Sequence, residues 1–193
     1  MIAHLKDLPH HRYTLKEYFA LEHAGDARYE YWDGDLLCMS DSAERHDRIS
    51  ENLRTRLATP HGSHCLTYSG SAPIKTPELP PYRHPDASAV SGKPVFDQIG
   101  GIDVLVNPII IIEVLSPGTE HLDKQEKRRA YQQLASVEEY LIVSQDAPHI
   151  TQYCRHGSHW SRHDSGDLKA ALQLASINSE ILISDIYAGV TFD

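Results

Sequence analysis

The sequence predicts an α/β (α+β) protein whose sheet is buried beneath helices, and three observations carry that prediction. Residues 108–117 read PIIIIEVLSP, a β-branched run bounded by prolines. A continuous apolar run of this length is the pattern of a strand covered on both faces. Apolar residues at helical spacing flank it in sequence: Ile49, Leu53 and Leu57 before it, Ala130, Tyr131 and Leu134 after it. Nearer the N-terminus, Arg28–Met39 places Asp33-Gly34 between aromatic and aliphatic stretches, the strongest two-residue hairpin signal. A chain of 193 residues, 40% hydrophobic and 23% charged, suits a single globular domain over 1–193.

In chain order, Thr14-Leu15-Lys16-Glu17 has the form of a capping box, which predicts a helix to about Glu22. Ala24–Ala27 breaks it at Gly25, and the Arg28–Met39 hairpin follows. Asp41–Glu44 opens a second helix, which Pro60–Gly62 ends. His64–Thr76 reads as two short extended pieces around Gly70. The four prolines of Pro77–Pro85 predict a loop that delivers the chain into a strand of small residues, Asp86–Val90. Ser91–Asn107 is a connection containing Gly100-Gly101, with a helical turn near Phe96. After the isoleucine strand, Asp123 caps a third helix running to about Leu134. Glu139–Ser144 is a further strand. Ile150–Cys154 and Trp160–Arg162 form a hairpin across His156–Ser158. Leu168–Leu174 fits no single element, and Ile183–Ala188 makes a helical turn before Gly189.

Composition excludes several function classes. A formal charge of −9 argues against a general nucleic-acid binder, since such proteins are usually basic. It leaves room for an enzyme that meets DNA through a local basic face or bound cations. Cys38, Cys65 and Cys154 form neither a zinc spacing nor a disulfide framework. They suit a reducing compartment, so a cytoplasmic location is expected. The segment MIAHLKDLPHHRY has no apolar h-region, and no run reaches the length of a membrane span, so no membrane partner is expected. HGSH occurs at His61–His64 and again at His156–His159. Its Gly-Ser centre reads as a surface turn rather than a metal site.

The candidate site grows from Glu113, the one carboxylate in the isoleucine strand. An ionised Glu in a core is costly unless it is paired, hydrogen-bonded or bound to a metal. Asp86 opens another strand after Pro85. Lys127 stands with Ala130, Tyr131 and Leu134 at i, i+3, i+4, i+7, so a lysine heads the inward face of the helix that follows Glu113. It either snorkels at the edge of that face or serves a site. Two strand-end carboxylates, with the backbone carbonyl of Val114, are hard oxygen donors suited to Mg²⁺ or Mn²⁺. A lysine beside them equips a metal-assisted phosphodiester hydrolysis. Glu30, between Tyr29 and Tyr31, reads either as a surface strand carboxylate or as a site-lining residue. His46 stands three residues before Ile49, on the apolar stripe of the second helix. It reads as a structural histidine or as part of the site.

These residues carry a resemblance. Pro85-Asp86 followed by Glu113-Val114-Leu115 resembles the PD-(D/E)XK nuclease superfamily. The wider set is similar to the bacterial Uma-type restriction endonucleases: Tyr29-Glu30-Tyr31-Trp32-Asp33-Gly34, His46, Pro85-Asp86, Ile112–Pro117, Asp123, Lys127, Tyr131 and Glu139–Val143. It runs from about Thr14 to about Tyr153. The resemblance implies a restriction-endonuclease-like core: a mixed central sheet flanked by helices, with an added N-terminal hairpin. It implies Asp86 and Glu113 as metal ligands. The superfamily's usual lysine position is Leu115 here, and Lys127 on the following helix is the replacement. The reading that follows is an Mg²⁺- or Mn²⁺-dependent DNA endonuclease, for which a homodimer would suit cutting both strands of a duplex. An inactive nuclease fold used for binding or assembly, and a metal-dependent hydrolase of another phosphoester, are the alternatives.

Overall fold

The computed structural model describes residues 11–25, 27–39, 43–58, 65–116, 120 and 122–192. The chain divides into two compact units, Met1–Asp41 and Ser42–Asp193. The expected ends of the second helix, Asp41-Ser42 and Pro60–Gly62, and the first HGSH lie outside the described residues.

The first unit is one helix and one hairpin. Helix α1 (Leu15–Ala24) starts at the predicted capping box: the Thr14 side chain accepts from Glu17 N–H, and the Glu17 carboxylate accepts from Thr14 N–H. It stops at Gly25, whose φ of 72° is left-handed. Strands β1 (Tyr29–Trp32) and β2 (Asp35–Cys38) pair antiparallel across Asp33-Gly34. Both turn residues take positive φ, 45° and 94°, as a twist-matched two-residue turn requires. Tyr18, fully buried, donates through its hydroxyl to Tyr29 O and joins helix to hairpin.

The second unit is built on a mixed six-stranded sheet. Helix α2 (Glu44–Ala58) precedes β3 (Cys65–Ser69), β4 (Ile74–Lys75), β5 (Tyr82–Arg83) and β6 (Ala87–Ser91). A hairpin of β7 (Phe96–Ile99) and β8 (Ile102–Leu105) leads to β9 (Ile110–Val114). A π-helical stretch, Leu122–Lys127, continues into α3 (Arg128–Gln132). Then come β10 (Glu139–Val143), β11 (Ile150–His156), β12 (His159–Ser165), β13 (Ala171–Leu174), β14 (Ser179–Leu182) and α4 (Ile183–Ile186). The large sheet has the order β12-β11-β10-β9-β6-β3. Among the described residues of this sheet, β9 and β10 pair parallel and the other pairs are antiparallel.

The isoleucine strand is buried along its whole length, and its alternation divides the core. Ile110, Ile112 and Val114 pack with Ile49, Leu53 and Leu57 of α2 and with Ile183 and Ile186 of α4. Ile111 faces the other way and packs with Tyr131 and Tyr140. Asn52 ties α2 to the C-terminal segment by donating to Ile186 O and Ala188 O. Arg155 gathers the carbonyls of Gln132, Leu134 and Val137 where α3 ends.

Several expectations need correction. The proline-rich 77–85 segment is not all loop, because Tyr82-Arg83 pairs with β4. The helical turn expected near Phe96 is the hairpin β7–β8. Gly100 and Gly101, at φ 58° and 83°, supply the two positive-φ positions of its turn, and the polar Asp97, Gln98 and Asp103 mask its alternation. The third helix opens with π rather than α geometry. Leu168–Leu174 resolves into β13, paired with an unforeseen β14.

Tyr187 closes the second unit: its hydroxyl hydrogen is directed at Ser144 O and His149 O, while its oxygen accepts from His149 N–H. Burial pushes its pKa up to about 12, against a smaller opposing effect of the His149 hydrogen bond. The raised value means that the contribution of the neutral phenol is complete below pH ~10, the ordinary tyrosine value, and is lost as pH rises through about 12. Tyr187→Phe should cost about 1–3 kcal/mol at neutral pH, because the groups it satisfies lose their partner. Urea denaturation of the two proteins measures the difference.

Candidate active site

The topology explains how residues distant in sequence come to share one end of the sheet. Strand β6 runs antiparallel to β9, so the start of β6 lies beside the end of β9. Asp86, just before β6, donates its N–H to Ile112 O. Its Oδ2 accepts from Val114 N–H at 2.6 Å. Asp86 is thus fixed against the last residues of the isoleucine strand by main-chain and side-chain bonds together.

His46, near the start of α2, approaches the same carboxylate: its Nε2 lies 3.3 Å from Asp86 Oδ1, and its Nδ1 lies 3.7 Å from Asp47 Oδ1. The imidazole side chain is 12% exposed. Burial is the largest single influence on His46 and works against its charged form, but the Asp86 hydrogen bond and charge, with those of Asp47, outweigh it. The pKa is raised above 6.5.

On the face of β9 shared with Ile111, Glu113 is 2% exposed and Lys127 1%. Lys127 Nζ donates to Glu113 Oε2 at 3.2 Å and lies 3.0 Å from Asp123 Oδ1. Tyr131 donates its hydroxyl to Glu113 Oε1 at 3.2 Å. The π-helical stretch and the first turn of α3 therefore present Asp123, Lys127 and Tyr131 to the sheet together; π segments recur at functional sites. Tyr140 on β10 donates to the Asp123 carbonyl oxygen. Its pKa is well above 10, chiefly through burial and then through the charges of Glu113 and Asp123, so it stays a neutral donor.

Of the sequence-predicted residues, Asp86, Glu113, Val114, Lys127 and His46 share this end of the sheet. Val114 enters through its N–H, the donor to Asp86. Glu30 belongs to the other compact unit, buried on β1. By local pattern Asp123 reads as a helix cap and Tyr131 as core, and the family resemblance includes both; in the structure both contact the Glu113–Lys127 pair. Their signal was the inward register itself, Asp123 and Lys127 standing at i, i+4 and Tyr131 one step further. The hard oxygen donors here are the Asp86 and Glu113 carboxylates with neighbouring main-chain carbonyls, types that suit a small divalent cation retaining several waters. Among the described residues, no three His, Cys, Asp or Glu side chains already converge on a metal-sized point.

The Uma2 family, described as "Putative restriction endonuclease", matches residues 15–181. The chain belongs to the Uma2 family. The family points to a nuclease, and so to a nucleic-acid substrate. The Uma2 chain is 28% identical to an uncharacterized protein of Synechocystis sp. over 200 aligned positions, covering 100% of both chains. A second uncharacterized Synechocystis protein is 25% identical over 145 positions, 75% of this chain and 81% of that one. The fold is similar to that of a crystal structure described as a "putative nuclease belonging to DUF820" from Anabaena variabilis, with a TM-score of 0.66 at 13% identity. That match covers 86% of this chain and 93% of the other. Fold class and family thus agree with the restriction-endonuclease-like architecture that the sequence implied.

Lys127→Met removes the cation between two buried carboxylates. It should destabilise this Uma2 protein by about 3–5 kcal/mol, the cost of breaking a buried pair from one side. In the double variant Lys127→Met/Glu113→Gln much of that loss should return, because a buried charge goes with its partner. Chemical denaturation of the four proteins in the cycle gives the coupling.

Proposed function

We propose that the protein is an Mg²⁺- or Mn²⁺-dependent endonuclease that hydrolyses phosphodiester bonds in DNA, with Asp86, Glu113 and Lys127 as its catalytic residues. One observation carries the reading: at a single sheet end, the Asp86 carboxylate is held on Val114 N–H beside a buried Glu113–Lys127 pair. Asp86 and Glu113, with the Val114 carbonyl, would hold the cation, which when bound supplies a Lewis acid and an activated water.

The remaining roles belong to the chain. Lys127 orients the attacking water and offsets charge on the phosphate. Glu113 and Asp123 set where its ammonium points, and Tyr131 holds the other Glu113 oxygen. Water is largely excluded around these groups, so their dipoles and charges act more strongly than at the surface. Asp86, 17% exposed at its side chain, is the more solvent-facing carboxylate. His46 braces it from α2.

The burial of Lys127 also favours a second reading, a nuclease fold retained for nucleic-acid binding without hydrolysis, since its ammonium already lies between two carboxylates. Supercoiled plasmid separates the two. With Mn²⁺ the wild type should nick or linearise it, and EDTA should stop the reaction. Asp86→Asn and Glu113→Gln should each slow cleavage at least about a hundredfold, the scale of losing one electrostatic partner in such a site, with their circular dichroism unchanged. Equal cleavage by wild type and Asp86→Asn would remove this site from consideration. DNA binding without cleavage in either metal would favour the second reading.

A further inference from the structure

A cleft of about 550 Å³ opens beside the Glu113–Lys127 pair. Its floor includes Ile142, the register partner of Glu113 on β10, and Leu115, two residues beyond Glu113. Lys124 and Arg128, which bracket Lys127 in sequence, form one wall. Tyr153 and Arg162 from the β11–β12 hairpin belong to the other side. The whole cleft lies within the second compact unit.

Its charge departs from that of the chain. Lys124, Arg128 and Arg162 face Glu120 and Asp146, a formal excess of one positive charge in a protein of −9. Two of the cations are already answered: Lys124 pairs with Glu120, and Arg162 with Asp164. Arg128 is different. Its guanidinium carbon lies 4.9 Å from the centre of the Tyr153 ring. Its Nε is buried, and among the described residues it has no hydrogen-bond partner. The Nε is closed off from solvent, so an acceptor arriving through the cleft would meet the terminal guanidinium nitrogens, which no carboxylate among the described residues holds. A guanidinium steadied on an aromatic face is suited to phosphate oxygens, which match its planar fork.

The geometry points to this cleft as the seat of a backbone phosphate of the nucleic-acid strand, next to the phosphate that is cut, with Arg128 as its principal ligand. The assignment rests on the nuclease reading of Asp86 and Glu113 and names where its substrate strand lies. Lys124 and Arg162 supply the surrounding positive field and leave the phosphate to Arg128.

The test is fluorescence anisotropy with a short fluorescein-labelled DNA duplex, in EDTA to prevent cleavage, over a series of salt concentrations. Arg128→Gln should weaken binding about tenfold and reduce the slope of log affinity against log salt by about 0.9, the loss of one phosphate contact. Arg128→Lys should fall between the two. Lys93→Gln, exposed and outside the cleft, should match wild type. If Arg128→Gln does not fold, Arg162→Gln, which weakens the field of the same cleft, replaces it and should also lower affinity.

Wild-type affinity and salt slope in a folded Arg128→Gln would overturn the assignment. So would inorganic phosphate binding the wild type as tightly as the duplex does, or a wild type that binds no duplex. Metal-dependent plasmid cleavage by the same wild type, lost in Asp86→Asn, decides the nuclease reading separately.

Discussion

The second unit depends on how it accommodates a lysine and two carboxylates in its interior. Lys127, Glu113 and Asp123 are each no more than 2% exposed. Taking even one such charge out of water costs several kcal/mol. The structure offsets this with close contacts: the ammonium between two carboxylates, a tyrosine hydroxyl on the other Glu113 oxygen, and a second tyrosine on the Asp123 carbonyl. Replacing such a cluster with apolar side chains is often neutral or stabilising. Its presence at the end of a strand otherwise made of isoleucine and valine therefore argues for chemistry rather than stability.

That cluster also explains the architecture around it. Glu113 reaches the α3 face because it alternates with Ile110, Ile112 and Val114, which face α2. The parallel β9–β10 pair requires a crossover, and the crossover segment is the one that supplies Asp123, Lys127 and Tyr131. The antiparallel β6 brings Asp86 back to the same end. One arm of the site is thus dry and heavily bonded, and the other, at Asp86 and His46, is partly open to solvent. A hydrolytic site has use for both: fixed charges where water is excluded, and an opening through which substrate and water enter.

The legible parts of the sequence were those in which local chemistry and global position agree. Asp33-Gly34 marked its hairpin, Thr14 and Glu17 their helix start, and the isoleucine run the centre of the sheet. The inward register of Lys127 was legible because a helical stripe that contains Tyr131 has only one buried side. The His46 alternatives could not be settled from sequence, because its approach to Asp86 depends on how α2 lies against β6 and β9. Asp123 was read as a cap because aspartate at a helix start ordinarily does that work, and its pairing with Lys127 appears only once the sheet covers them. Strands β7, β8 and β14 were missed where charged and polar residues on exposed faces diluted the alternation. The sequence offers Arg128 only as one of several cations that could meet phosphates, and its place against the distant Tyr153 is not legible in it.

The acidity of the chain, the main objection to a DNA substrate, has a physical answer in this arrangement. Affinity for nucleic acid comes from cations placed against phosphates, not from net charge. On the proposed reading, the carboxylates that hold a lysine and would hold a metal add to the negative total of a site meant for a polyanion. Asp86, Glu113 and Asp123, counted at formal charge with Lys127, leave that end of the sheet at −2, which a divalent cation, on the proposed reading, would cancel. The Arg128 cleft beside it carries the opposite sign. On the proposed reading, a protein built this way would hold DNA through few phosphate contacts, so its binding would be weak and sensitive to salt.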